Sequence, residues 1–229
     1  MNDLSGANDM TQPMLQLYSF ELCPFAHRVR LALAEKGVAA EPIEIDLKNK
    51  PASFVRISPY GRVPLLLHGE AKLWESAIIN EYLDEVFPDP PLMPASLADR
   101  ALARVWVKFA DERLYSATHS FIFTREEEAR RKLAAEMLDS VWFLENEVMA
   151  KRPGGGRYVF GDRFTLTDIA LYPWFEQAGA LEQLSEFRLP LGCVGLSEWR
   201  RAVNGRKAVQ QCARTSDWYA ERYRTYLSA

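Results

Sequence analysis

The chain has only three cysteines, Cys23, Cys193 and Cys212, among 229 residues. That number and spacing exclude a disulfide framework or a cysteine metal cluster, and they suit a reducing compartment. Three histidines, His27, His68 and His119, lack metal-ligand spacing, so no bound metal is expected. There is no excess of positive charge. With 28 basic and 31 acidic residues, a net charge of −3 and a pI near 5.8, the chain lacks the basic surplus that holds nucleic acid through its phosphates. The charge-rich run Arg125 to Lys132 mixes signs and reads as a solvated helix face. No apolar stretch approaches the ~20 residues a membrane span needs. Residues 1–13 lack the basic start and apolar centre of a secretory signal and read as a flexible extension. A cytoplasmic protein is expected, with neither nucleic acid nor membrane as partner. Pro153-Gly154-Gly155-Gly156 is too short for a phosphate loop and lacks its Lys-Ser/Thr, so it reads as a turn.

What the chain does have is one cysteine in a telling place, in Leu22-Cys23-Pro24-Phe25-Ala26-His27-Arg28. Leu15, Leu17, Tyr18 and Phe20 read as a strand running into this turn. Pro24 suits the first turn of a helix, where its missing N–H costs nothing. The sulfur then lies at a helix start, where free N–H groups and the positive end of the dipole favour an anion, so an acidified thiol is expected. A dithiol oxidoreductase would carry a second cysteine where this chain has Ala26. Cys23 must therefore act alone, and an outside thiol must resolve its oxidised form. His27, one turn beyond, reads as an exposed helix position that could also tune the thiol.

Strand and helix signals alternate up to about residue 87, the pattern of a layered α/β unit. A helix is expected over Pro24 to Lys36, with Gly37 as its left-handed cap. A strand should follow at Ile43 and Ile45, then a short helix at Ala52 to Ile57, a hairpin from Val63 to Leu67 and Ala71 to Trp74, and a helix through Val86. Pro88, Pro90, Pro91 and Pro94 form a stiff connector. The remainder reads as helical. Apolar stripes recur at Leu102, Val105, Trp106 and Phe109, and again from Leu133 to Val148. Thr165-Leu166-Thr167-Asp168 is a capping box, which gives Asp168 a structural role at the start of a buried helix.

Gly61-Arg62-Val63-Pro64, Glu75-Ser76 and Leu47-Lys48-Asn49-Lys50-Pro51 join Cys23 in a wider pattern. Nearly the whole chain resembles the cytosolic glutathione transferases, and is most similar to their cysteine-type Omega class. The resemblance implies an α/β thioredoxin-like domain over residues 14–88, a Pro-rich linker over 89–98 and an all-α domain over 99–229. It also implies a homodimer. Glutathione is the implied co-substrate, with no permanently bound cofactor. Its cysteinyl unit would pair with the backbone of Val63 before a cis Pro64. Glu75 would meet its ammonium, Ser76 its γ-glutamyl carboxylate and Lys50 its glycyl carboxylate. Phe25, Trp174 and Trp218 would wall a cleft for a small electrophilic or disulfide acceptor. The implied activity is thiol transfer through a mixed disulfide on Cys23, with dehydroascorbate reduction as a related reaction. Alternatives are a glutathionyl-quinone reductase and a non-catalytic module of the same fold that binds a protein. Gln177 departs from the Omega pattern, in which arginine is expected.

Overall fold

The computed structural model describes residues 14–228; the expected extension over residues 1–13 lies outside the described residues. Strand β1 (Leu15–Ser19) alternates buried and half-buried residues, as a strand between two layers should. It pairs in parallel with β2 (Ala40–Glu44) and antiparallel with β3 (Leu65–His68). β3 turns through Gly69-Glu70 into β4 (Ala71–Trp74), giving the order β2-β1-β3-β4. Pro42 lies in the edge strand β2, where a residue without an N–H is tolerated. Helices α1 (Pro24–Lys36) and α3 (Ser76–Val86) pack with the sheet, and α2 (Ala52–Ile57) packs Phe54 against Val63 and Leu65. This is a thioredoxin-like layer.

The helical part comprises α4 (Leu97–Phe109), α5 (Ser116–Phe123), α6 (Glu127–Leu144), α7 (Leu166–Leu184), α8 (Val194–Asn204), α9 (Lys207–Cys212) and α10 (Ser216–Ser228). The Pro-rich connector is fastened near its middle. Asp84 accepts from the Leu92 and Met93 amides at 2.7 and 3.0 Å and from Lys36 Nζ at 2.5 Å. Leu92 and Met93 enter the same apolar core as Leu17, Leu66 and Trp174. At the heart of the bundle, Asp168 accepts from Thr165, from the Val159 amide and from the Trp199 indole at 2.8 Å. The expected cap is thus also an anchor between three segments.

Helix α1 departs from the amphipathic reading. Ala26, His27, Arg28, Val29 and Leu31 are all buried, because α3, α7 and α9 enclose the helix that the sheet already covers on one side. His27 is 1% exposed and is not the surface position the sequence suggested. The stripe on α4 departs in the opposite sense, since Leu102 and Val105 are exposed. No helix among the described residues is long and apolar enough to cross a membrane.

Candidate active site

Cys23 ends the β1–α1 turn as the N-cap of α1, with Pro24 in the first helical position. Its Sγ lies 3.8 Å from the carbonyl oxygen of Val63, the residue that precedes a cis Pro64. The sulfur is at a helix start as expected, but the thiol is not acidified. Burial pushes Cys23 up from its ordinary value, while the amides of Ala26 and Phe25 and the charges of Arg30 and Arg28 pull the other way and are outweighed. Desolvation disfavours the thiolate more than the dipole favours it.

Two cavities meet at Phe25. The smaller, about 160 Å³, is lined by Phe25, Val63, Pro64, Glu75 and Ser76, with Asp111 from the helical part. Its chemistry suits a zwitterion. Ser76 opens α3, so free amides gather there. Glu75 sits before it at φ 67°, ψ 110°, a left-handed conformation that costs a non-glycine residue roughly 1 to 3 kcal/mol. Lys50 does not line this cavity; its Nζ lies 3.8 Å from where a Cβ on Gly61 would stand. The larger cavity, about 230 Å³, contains Cys23, Phe25, Tyr115, Trp174, Gln177 and Tyr223 among its lining residues. Trp174 is 2% exposed and its indole donates to Thr118 Oγ1 at 2.7 Å. Trp218 does not line this cavity. Its ring takes the guanidinium groups of Arg214 and Arg222 at 5.5 and 5.3 Å, and from the same helix Tyr223 and Tyr226 face the cavity instead.

Several residues around the site were not singled out by sequence. Arg28, 1% exposed, donates to Asp111 Oδ1 at 2.6 Å, to the Ala170 carbonyl at 3.0 Å and to Ser76 Oγ at 3.4 Å. Its guanidinium lies over the rings of Phe25 and Tyr115. Asp111 and Tyr115 come from a π-helical stretch, Ala110–Tyr115, between α4 and α5. This widened turn directs one residue to each cavity, a use of π-helical turns that recurs at functional sites. Burial pushes the Tyr115 phenol up to about 12. Behind Cys23, His27 Nε2 lies 3.3 Å from Glu176, which also accepts from the Tyr219 hydroxyl at 2.7 Å. Burial pushes His27 down, so it stays neutral. Burial also pushes Glu176 up, but its hydrogen bonds with His27, Tyr219 and the Arg214 amide outweigh this and hold it below the usual carboxylate range.

Comparison with known proteins gives the family. Residues 17–91 match the family described as glutathione S-transferase, N-terminal domain, and residues 126–202 match glutathione S-transferase, C-terminal domain. A probable glutathione S-transferase of Glycine max is 34% identical over 79% of this chain and 81% of its own length. Glutathione S-transferase omega-1 of Sus scrofa is 35% identical over 74% of this chain and 69% of its own. A rice glutathione transferase, solved in complex with glutathione, superposes with a TM-score of 0.82 at 27% identity, covering 94% of this chain and 96% of that one. With both halves matched and relatives aligned along most of its length, the chain belongs to the glutathione S-transferase family.

Proposed function

We propose that the protein is a glutathione-dependent thiol transferase of Omega-like type, with Cys23 as its nucleophile. The observation that carries this reading is the position of the Cys23 sulfur beside Val63, at the junction of a polar and an apolar cavity. Attack of Cys23 on the glutathione sulfur of a mixed disulfide forms Cys23–S–S–glutathione and releases the acceptor as a thiol, which takes the Cys23 proton. A second glutathione then yields glutathione disulfide and restores the Cys23 thiol. Val63 backbone, Pro64, Glu75, Ser76 and Phe25 hold glutathione in this reading, with Lys50 near its glycyl end, and Trp174 walls the acceptor site. Residues 14–88 are then the glutathione-binding unit, 89–98 the linker and 99–229 the acceptor-binding unit. The free thiols Cys23, Cys193 and Cys212 suit a cytoplasmic enzyme. Leu102 and Val105 are exposed on α4, and Val105 shares a surface groove with Phe109 and Phe143, a face that a second copy would cover in a homodimer.

The raised thiol favours a second reading. A protonated Cys23 can donate a hydrogen bond to a bound glutathione thiolate and assist conjugation without forming a covalent bond. Substitution Cys23→Ser separates the two. Thiol transfer predicts that reduction of a small glutathione mixed disulfide falls by more than about 100-fold in Cys23→Ser, and that wild type treated with glutathione disulfide gains one glutathione on Cys23. Equal reduction rates in the two proteins refute the covalent mechanism, and conjugation retained by Cys23→Ser then supports the second.

A further inference from the structure

Among the described residues, no lysine, arginine, aspartate or glutamate lines the larger cavity. Selection there rests on apolar contact and on a few polar atoms whose protons can be traced. Thr118 Oγ1 accepts from Trp174 and directs its own proton to Met137 Sδ at 3.0 Å. Tyr115 donates to the Ala170 carbonyl at 3.0 Å. Gln177 Nε2 lies 3.3 Å from the Leu22 carbonyl, which can only accept. The side-chain atom facing this carbonyl must be the NH₂ group, so the orientation of this amide is determined. Its oxygen therefore faces Tyr223, and the 2.7 Å contact is donated by the Tyr223 hydroxyl. Burial, then the proximity of Cys23, Tyr115 and Tyr226, pushes the Tyr223 phenol up, so it keeps this proton.

With its proton committed to Gln177, Tyr223 presents lone pairs and no donor to the cavity it lines. We infer that Tyr223, oriented by Gln177, determines acceptor specificity, and that the cavity prefers aromatic molecules bearing a hydroxyl or N–H donor to the corresponding ethers. This rests on the glutathione-dependent reading above. His119 is exposed, with its ring tilted against Phe123, and Tyr226 lies under the Lys48 ammonium, so variants must separate Tyr223 from both.

The test uses the full chain and unreactive probes: S-benzylglutathione, its three hydroxybenzyl isomers and the matched methoxybenzyl compounds, with affinities read by calorimetry. At least one hydroxybenzyl isomer should bind about three- to tenfold more tightly than its methoxy counterpart, the span of one neutral hydrogen bond. Tyr223→Phe should bring that ratio to one, whereas Tyr226→Phe should keep it. Gln177→Leu frees the Tyr223 proton for an ether oxygen and should lower or invert the ratio, a change that a purely structural role does not produce. A ratio of one for every isomer in wild type, or an unchanged ratio in Tyr223→Phe, overturns the inference and leaves the glutathione reading intact. Failure of every conjugate to bind overturns both.

Discussion

Removing Asp111 tests whether the buried cation behind the smaller cavity organises the site. Among the described residues, Arg28 has one charged partner, Asp111 at 2.6 Å, while its Nη2 has no hydrogen bond. Stripping one partner from a buried pair costs about 3 to 5 kcal/mol, because the remaining charge stays desolvated. The Asp111 side chain is 38% exposed, so water can move toward the guanidinium and screen it. We therefore expect Asp111→Ala to cost about 2 to 3 kcal/mol. With a urea m-value near 3 kcal/mol/M, the midpoint should fall by roughly 0.7 to 1 M, compared at one protein concentration. Asp111→Asn keeps an acceptor and should lose about half as much. In an Arg28→Met background the further cost of Asp111→Ala should shrink below about 0.5 kcal/mol, since no cation remains to be stranded. A single-mutant cost below about 0.5 kcal/mol would falsify the view that this pair supports the site.

Three further outcomes follow from the same geometry. Because burial raises the Cys23 thiol, its alkylation rate should still be climbing as pH increases from 7 to 9, and a plateau reached by pH 7 in site-resolved mass spectrometry would show an acidified thiol instead. Glu75→Gly relieves a left-handed backbone and Glu75→Gln does not, so glycine should match or exceed the glutamine variant in denaturant midpoint while both weaken glutathione binding by about tenfold; a clear midpoint loss in the glycine variant alone counts against stored strain. His27 has a folded pKa below its ordinary 6.5, so the unfolded chain binds more protons and native stability falls as pH drops below about 6.5. His27→Gln should flatten that fall, and an equal pH slope in wild type and variant removes His27 as its source.

The chain's own chemistry determined the local pieces of this protein. Pro24 and Gly37 bound α1 because one has no N–H to leave unsatisfied and the other adopts φ 64° without a Cβ clash. Thr165 and Asp168 close a capping box three residues apart. The Cys23, Val63-Pro64 and Glu75-Ser76 segments were legible as sequence motifs, and the structure places Cys23 beside Val63, and Val63, Pro64, Glu75 and Ser76 around one cavity.

Tertiary packing decided the protonation and the neighbours. Arg28 meets Asp111 across 83 positions, His27 meets Glu176 across 149, and Gln177 meets Leu22 across 155; no periodicity spans such distances. The sequence presents His27 and Arg28 as two polar residues on a helix, and only the enclosure of α1 by α3, α7 and α9 makes them buried groups that need partners. The same enclosure reverses the expected shift of Cys23, since a helix dipole can be inferred from local sequence whereas desolvation depends on everything packed around the sulfur. On α10, Trp218 and Tyr223 are both aromatic residues within one stretch of helix, and it is the seating of that helix on α7 that turns Tyr223 toward the cysteine's cavity and leaves Trp218 to two arginines.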